Sequence, residues 1–124
     1  MKLFDSNLVI YSSLNSYSSL RTLLVANDVF VSAITKVETL GYHKLPFADK
    51  VYFEALFATA NVLFITEAII DRAIELRQQK KMSVGDCIIA ATALQYGFVL
   101  FTANVKDFTH IPNLTISNPL EITG

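Results

Sequence analysis

Apolar and polar positions follow a repeating order along this chain. Short β-prone apolar runs alternate with longer stretches in which apolar residues recur at helical spacing. That alternation is the signature of βαβ units, whose crossover helices build a parallel sheet covered on both faces. Lys2-Leu3-Phe4 reads as a first strand ending at Asp5, followed by a helical or loop stretch through Leu24. Val29-Phe30-Val31 is a second strand, and Ser32 is placed to cap a helix running from Ala33 toward Leu40 and closing near Gly41. Pro46 opens another helix with Val51, Ala55 and Ala58 at helical spacing.

Asn61 to Ile65 forms a third strand, with Thr66 as cap for the long helix after it. That helix carries Glu67, Asp71 and Glu75 early and Arg77, Lys80 and Lys81 late, an order that complements the helix dipole. Ser83 caps a further helix ending at Gly97, whose middle, Ile88 to Leu94, is apolar almost all round and belongs at the centre of the molecule. Phe98 to Phe101 is a fourth, fully buried strand, Thr102 to Phe108 a polar loop with one turn of helix, and Leu114-Thr115-Ile116 a short edge strand ahead of Pro119. No internal repeat, low-complexity tract or linker interrupts the pattern. The expected architecture is a single α/β domain over residues 1–124, a three-layer sandwich around four or five parallel strands.

Composition narrows this picture. At 124 residues the chain can bury one real core but not two. A hydrophobic content of 52% and a mean hydropathy of +0.43 suit a sheet buried on both faces, with apolar surface to spare for a partner. A net charge of −1 argues against a broad basic nucleic-acid surface, although a bound cation would supply positive charge locally. Cys87 is the single cysteine, so no intrachain disulfide forms; with no secretory pattern, the reducing cytoplasm is the expected location. Asp5 arrives too early for a signal-peptide apolar stretch. The longest apolar-dominated run, Cys87 to Leu94, falls well short of the about 20 residues of a membrane span.

Against that background four acids stand out. Asp5, Glu38, Asp86 and Asp107 each lie where an apolar run meets a helix or loop. A parallel sheet gathers its strand ends into one crevice, where distant carboxylates can converge. Carboxylates gathered without basic partners repel one another, and a divalent cation relieves that repulsion. Each acid also has a plainer reading. Asp5 suits the cap of the next helix, and Thr35-Lys36-Val37-Glu38 matches a capping box. Asp86 sits where a helix N-terminus stabilises an acid, and Asp107 suits a solvated loop, as Asn104 suits a turn. Asp86 is the strongest candidate, because the first turn of the most apolar helix is a costly place for an unneutralised charge.

Other chemistry finds less support. Asp86 beside Cys87 opposes a thiolate, so Cys87 reads as a core residue. His43 and His110 have no partner at metal-ligand spacing and read as surface or packing residues. Neither a glycine-rich dinucleotide motif, nor a P-loop, nor a nucleophile-elbow serine occurs.

Four segments taken in order resemble the PIN-domain family, and within it the VapC-type toxins of bacterial toxin–antitoxin pairs. They are Phe4-Asp5-Ser6-Asn7, Ser32 to Glu38, Ser83 to Leu94 and Thr102 to Phe108, and the resemblance runs on through Ile111 to Leu114 and Asn118-Pro119. It implies a Mg²⁺- or Mn²⁺-dependent ribonuclease, usually a homodimer, held inactive by a cognate antitoxin. By motif match Asp5, Glu38, Asp86 and Asp107 become the catalytic, metal-holding acids, with Ser6, Asn7, Thr102 and Asn104 in support. On this reading Asp5 and Asp86 hold a first ion, while Glu38 and Asp107 complete its shell or recruit a second. Oxygen ligands without a histidine or cysteine cluster favour Mg²⁺ or Mn²⁺ over zinc. Two positions depart from the family pattern: Ala103 stands where a basic residue is common, and Cys87 where alanine is.

Two other classes compete. A receiver or a haloacid-dehalogenase-like phosphatase also uses Mg²⁺ and a strand-end Asp. The phosphatase, however, wants a second Asp where Asn7 stands, and the receiver wants an acidic pair near the first strand. A PIN-like module that binds RNA or protein without cleaving it would keep the fold and lose the chemistry.

Overall fold

The computed structural model describes residues 1–120 and contains five strands and six helices. The strands are β1 (Lys2–Phe4), β2 (Val29–Ser32), β3 (Asn61–Leu63), β4 (Val99–Phe101) and β5 (Ile116–Ser117). They form one sheet in the order β3-β2-β1-β4-β5, with every neighbouring pair parallel. The helices are α1 (Ser6–Tyr11), α2 (Ser19–Leu24), α3 (Ala33–Leu40), α4 (Phe47–Thr59), α5 (Glu67–Gln79) and α6 (Val84–Tyr96).

Side chains alternate across the strands and divide the core in two. Leu3 and Leu100 join Ile69, Ala73 and Leu76 of α5 and the apolar side of α6 in one cluster. Phe4, Val29 and Val31 join Leu8 and Val9 of α1, Leu20 and Leu24 of α2, and Phe53, Leu56 and Phe57 of α4 in the other. The three-layer sandwich expected from the sequence is therefore present, with the sheet at five strands. Each fully buried Leu or Val in these clusters contributes about 1.5–3 kcal/mol relative to leaving it in water.

Capping matches local chemistry. The hydroxyls of Ser32, Thr66 and Ser83 accept from the backbone N–H groups of Ile34, Ile69 and Asp86, and Gly97 closes α6 at φ +68°. Among the described residues no helix is long and apolar enough to cross a membrane.

Several boundaries and faces differ from expectation. The third strand stops at Leu63, and Phe64, 80% exposed, has already left the sheet. The fourth begins at Val99 and buries only Leu100 fully, and the last lies at Ile116–Ser117 rather than Leu114–Ile116. In α4 the positions at helical spacing, Val51, Ala55 and Ala58, face solvent, while Phe53, Leu56 and Phe57 enter the core. The larger side chains at i, i+3 and i+4 gain more from burial and set the helix's rotation.

The topology creates one privileged place. The chain runs β1, β2, β3 toward one edge, then crosses to place β4 on the far side of β1. Strand order reverses at β1 and β4, and the crevice beyond their carboxyl ends is where such sheets bind ligands.

Candidate active site

Register builds the first part of the site. Phe4 pairs with Phe101 across β1 and β4, and their rings stack at 5.4 Å. The next residue on each strand, Asp5 and Thr102, therefore emerges side by side at the crevice. Asp5 is buried and both carboxylate oxygens are engaged: Oδ1 accepts from Leu8 N at 2.9 Å, and Oδ2 from the Thr102 hydroxyl at 2.5 Å. Thr102 is fixed in turn, because its Oγ1 accepts from Asn104 N at 2.9 Å. Asp5 is thus the cap of α1 and lies at the crevice at once, so capping does not rule out a place in the candidate site.

Glu38 arrives by a different route. Helix α3 starts at Ala33 under the Ser32 cap, which leaves Thr35 free of capping duty and sets aside the capping-box reading of Thr35 and Glu38. Three apart on the helix, the two residues lie on one face. Ser6 meets both: its Oγ donates to Glu38 Oε1 at 2.8 Å and lies 2.9 Å from Thr35 Oγ1. Gly85 of α6 completes the seat. A Cβ on Gly85 would stand 2.7 Å from both carboxylate oxygens of Glu38, so only a bare backbone admits Glu38 at this depth.

Asp86 follows in the first turn of α6, half-buried, with its N–H donating to Ser83 Oγ at 3.1 Å. Asp107 ends the 3₁₀ turn Val105–Asp107 beyond β4, with its side chain exposed. The acids feel one another. Burial pushes the Asp5 carboxyl above its ordinary value, against the lowering effect of Thr102 and Leu8, and the charges of Asp86 and Glu38 add to the rise. Burial also raises Asp86, with the Asp107 and Glu38 charges adding to it while Ser83 opposes. None of the four is in a salt bridge: Lys2–Asp28 at 3.1 Å is the salt bridge among the described residues, and it lies elsewhere.

In kind, this all-oxygen set fits a hard divalent ion better than zinc. In spacing, no three carboxylate, histidine or cysteine side chains among the described residues stand close enough to grip an ion. Asp5 and Glu38 are tied by hydrogen bonds, so closure falls to Asp86 and Asp107, the half-buried and the exposed member.

Besides a smaller cavity of about 330 Å³ walled by Asn104, Lys106 and Asp107, two cavities flank the acids. One, of about 480 Å³, is walled by Asp86 and Asp107 together with Lys80, Lys81, Lys106 and His110. The other, of about 390 Å³, has Glu38 in its wall beside Ile10, Leu14, Tyr42, Leu45 and Phe53. The supporting candidates fare unevenly. Ser6 and Thr102 hold acids directly, Asn104 acts through its backbone N–H, and Asn7 is exposed, with no hydrogen bond to the acids. Cys87 is buried, its thiol donates to Val84 O at 3.0 Å, and burial raises its pKa. His43 is exposed, whereas both ring nitrogens of His110 are sealed from solvent without a partner. Sequence reasoning offered Thr35 only as part of a capping box and assigned no role to Gly85. A glycine inside the first turn of a helix, where it costs stability, was the available signal for Gly85.

Comparison with known proteins agrees with this geometry. The PIN domain profile matches residues 2–114, and the chain belongs to the PIN-domain family. A toxin–antitoxin complex from Klebsiella pneumoniae contains a chain 31% identical, with 98% of this chain and 100% of that one covered at a TM-score of 0.78. VapBC-1 from nontypeable Haemophilus influenzae is similar at 25% identity, 94% and 96% coverage and a TM-score of 0.74. FitAcB from Neisseria gonorrhoeae is similar at 25% identity, 98% and 100% coverage and a TM-score of 0.73. The search of curated proteins found no match. The likeness to VapC-type PIN domains read from the four segments is borne out, and the toxins of this family are generally nucleases.

Proposed function

We propose that this protein is a divalent-metal-dependent endoribonuclease, the toxin of a type II toxin–antitoxin pair, acting in the cytoplasm. The observation that carries the reading is a set of four carboxylates at the strand-order reversal, two of them raised by burial and mutual repulsion, and none of them in a salt bridge among the described residues. Asp5, Asp86, Glu38 and Asp107 would hold Mg²⁺ or Mn²⁺. When bound, such an ion offsets charge developing on a phosphodiester and acidifies nearby water.

The chain's own residues divide the remaining work. Thr102 and Leu8 N hold Asp5 in one orientation, and Ser6 holds Glu38 while Gly85 leaves room for it. Outer hydrogen bonds of this kind fix ligand direction and are worth about 10–100-fold in metal affinity. Burial keeps Asp5 out of water, which strengthens its attraction for a cation.

The antitoxin is assigned to the Glu38 cavity. Its wall is mostly apolar but includes the carboxylates of Glu38 and Asp49. That combination fits an amphipathic segment carrying a basic residue, which would reach the site through Glu38. A homodimer, the assembly the family resemblance implies, has an apolar hollow between Ile70, Ile74 and Val84 available to it.

Cleavage of total cellular RNA with Mg²⁺ or Mn²⁺, with EDTA and Asp86→Asn controls, tests the proposal. Discrete fragments that vanish in both controls support it. RNA that is bound but left whole would replace the nuclease with a binding module.

A further inference from the structure

The cavity beside Asp86 and Asp107 has a composition that the acids do not explain. Lys80 and Lys81 reach it from the end of α5, and Lys106 reaches it from the turn after β4. Three of the ten Lys and Arg residues in a chain of net charge −1 thus face one space of about 480 Å³. The dipole of α5 accounts for cations at its C-terminus, but not for Lys106 meeting them from another segment. Nor are they spent on ion pairs: among the described residues no lysine nitrogen of this cavity lies within 4 Å of a carboxylate, although Asp86 and Asp107 share its wall.

Clustered ammonium groups repel, and an anion relieves them. The Glu38 cavity differs sharply, having carboxylates and apolar groups in its wall but no lysine or arginine. A polyanion crossing the acids therefore finds compensating charge on one flank only.

We propose that Lys80, Lys81 and Lys106 form a phosphate-binding subsite for single-stranded RNA, holding the backbone on one side of the scissile bond. The inference rests on the nuclease reading and deepens it. Lysines are point charges that follow phosphates without reading bases, so the subsite sets strand placement rather than sequence. In a chain of net charge −1 with no broad basic face, these lysines concentrate attraction for phosphate on one flank.

The test is salt dependence. RNA binding is followed by fluorescence anisotropy across a KCl series with a labelled single-stranded RNA, using Asp86→Asn protein with and without Lys80→Ala, Lys81→Ala and Lys106→Ala. Removing one lysine–phosphate pairing lowers the slope of log K against log salt by roughly 0.7, so the triple variant falls by about 2. In the cleaving protein the same three substitutions raise KM. Lys50→Ala, outside the cavity, leaves the slope as it was, and unchanged melting curves show that each variant is folded. Shortening the RNA from one end reproduces the effect of the lysine substitutions; shortening it from the other does not. An unchanged slope in the folded triple variant overturns the subsite even if cleavage proceeds. A protein that binds RNA with the expected slope yet never cleaves overturns the nuclease reading and leaves the subsite standing.

Discussion

The two flanks of the acidic site are built on opposite plans. On the Asp5 and Glu38 flank every acid is tied: Asp5 by Thr102 and Leu8 N, Glu38 by Ser6, with Thr35 and Gly85 closing around them. On the Asp86 and Asp107 flank the acids stand half-buried or exposed, facing lysines across open space. The first flank is preorganised and carries the energetic penalty of buried charge; the second is open, and on the proposed reading an ion or a phosphate would complete it. Repulsion among the four carboxylates is thus met differently on each flank: Asp5 and Glu38 by hydrogen bonds, Asp86 and Asp107 by their access to solvent.

The largest effect on that contrast comes from Asp86→Asn. It removes the half-buried acid whose charge bears on Asp5, and the expected outcome is no turnover in cleavage assays with an unchanged circular dichroism spectrum. Next is Gly85→Ala, which sharpens the comparison because it separates function from stability. A methyl group there must displace the Glu38 carboxylate, and a misplacement of about 1 Å can cost 10²-fold in rate. The same change favours the helix by roughly 0.5–1 kcal/mol, although breaking the Ser6–Glu38 hydrogen bond offsets part of the gain. Activity falls while the melting temperature holds or rises; full activity in this variant would show that Glu38 need not sit against α6.

Thr102→Val unties Asp5 on the fixed flank. Metal affinity measured by titration calorimetry drops about 10–100-fold, and chemical denaturation shows a loss of about 1–3 kcal/mol from the unsatisfied buried carboxylate. The smallest effect is on pH dependence. Asp5 and Asp86 are held above the ordinary carboxyl value of 3.8, so the folded chain binds protons more tightly than the unfolded one. Their contribution to stability therefore falls as pH rises through the raised values, and is fully regained only below 3.8. In metal-free melts Asp86→Asn is accordingly more stable than wild type near neutral pH, and the gap narrows on acidification. Mg²⁺ or Mn²⁺ at neutral pH raises the wild-type melting temperature and has less effect on the variant.

What the sequence made legible was whatever is decided locally. Ser32, Thr66 and Ser83 announce their helices because a cap is chosen within three residues, and Gly97 announces a stop because α6 ends in a left-handed residue. Asp5 and Asp107 could be placed beyond strand ends, and Glu38 inside a helix, from the apolar runs alone. The face of α4 was not legible, because Phe53, Leu56 and Phe57 prevail over Val51, Ala55 and Ala58 only when the whole core is packed. Nor was the web joining Ser6, Thr35, Glu38 and Gly85, which brings three helices together. Each depends on strand register and crossover, which no stretch of sequence displays by itself.

The hydrogen bond between Asp5 and Thr102 joins residues 97 positions apart. Its strand partner is β4, the next to last in the chain, so the acidic centre cannot assemble until synthesis has passed Thr102. At about 5–20 residues per second, Asp5 waits roughly 5–20 s on the ribosome before its partner is made. A nascent chain that ends before β4 has Asp5 but not its Thr102 partner, so on the proposed reading such a fragment would lack the assembled site. The acidic centre is therefore a late product of synthesis, complete only once β4 has been made.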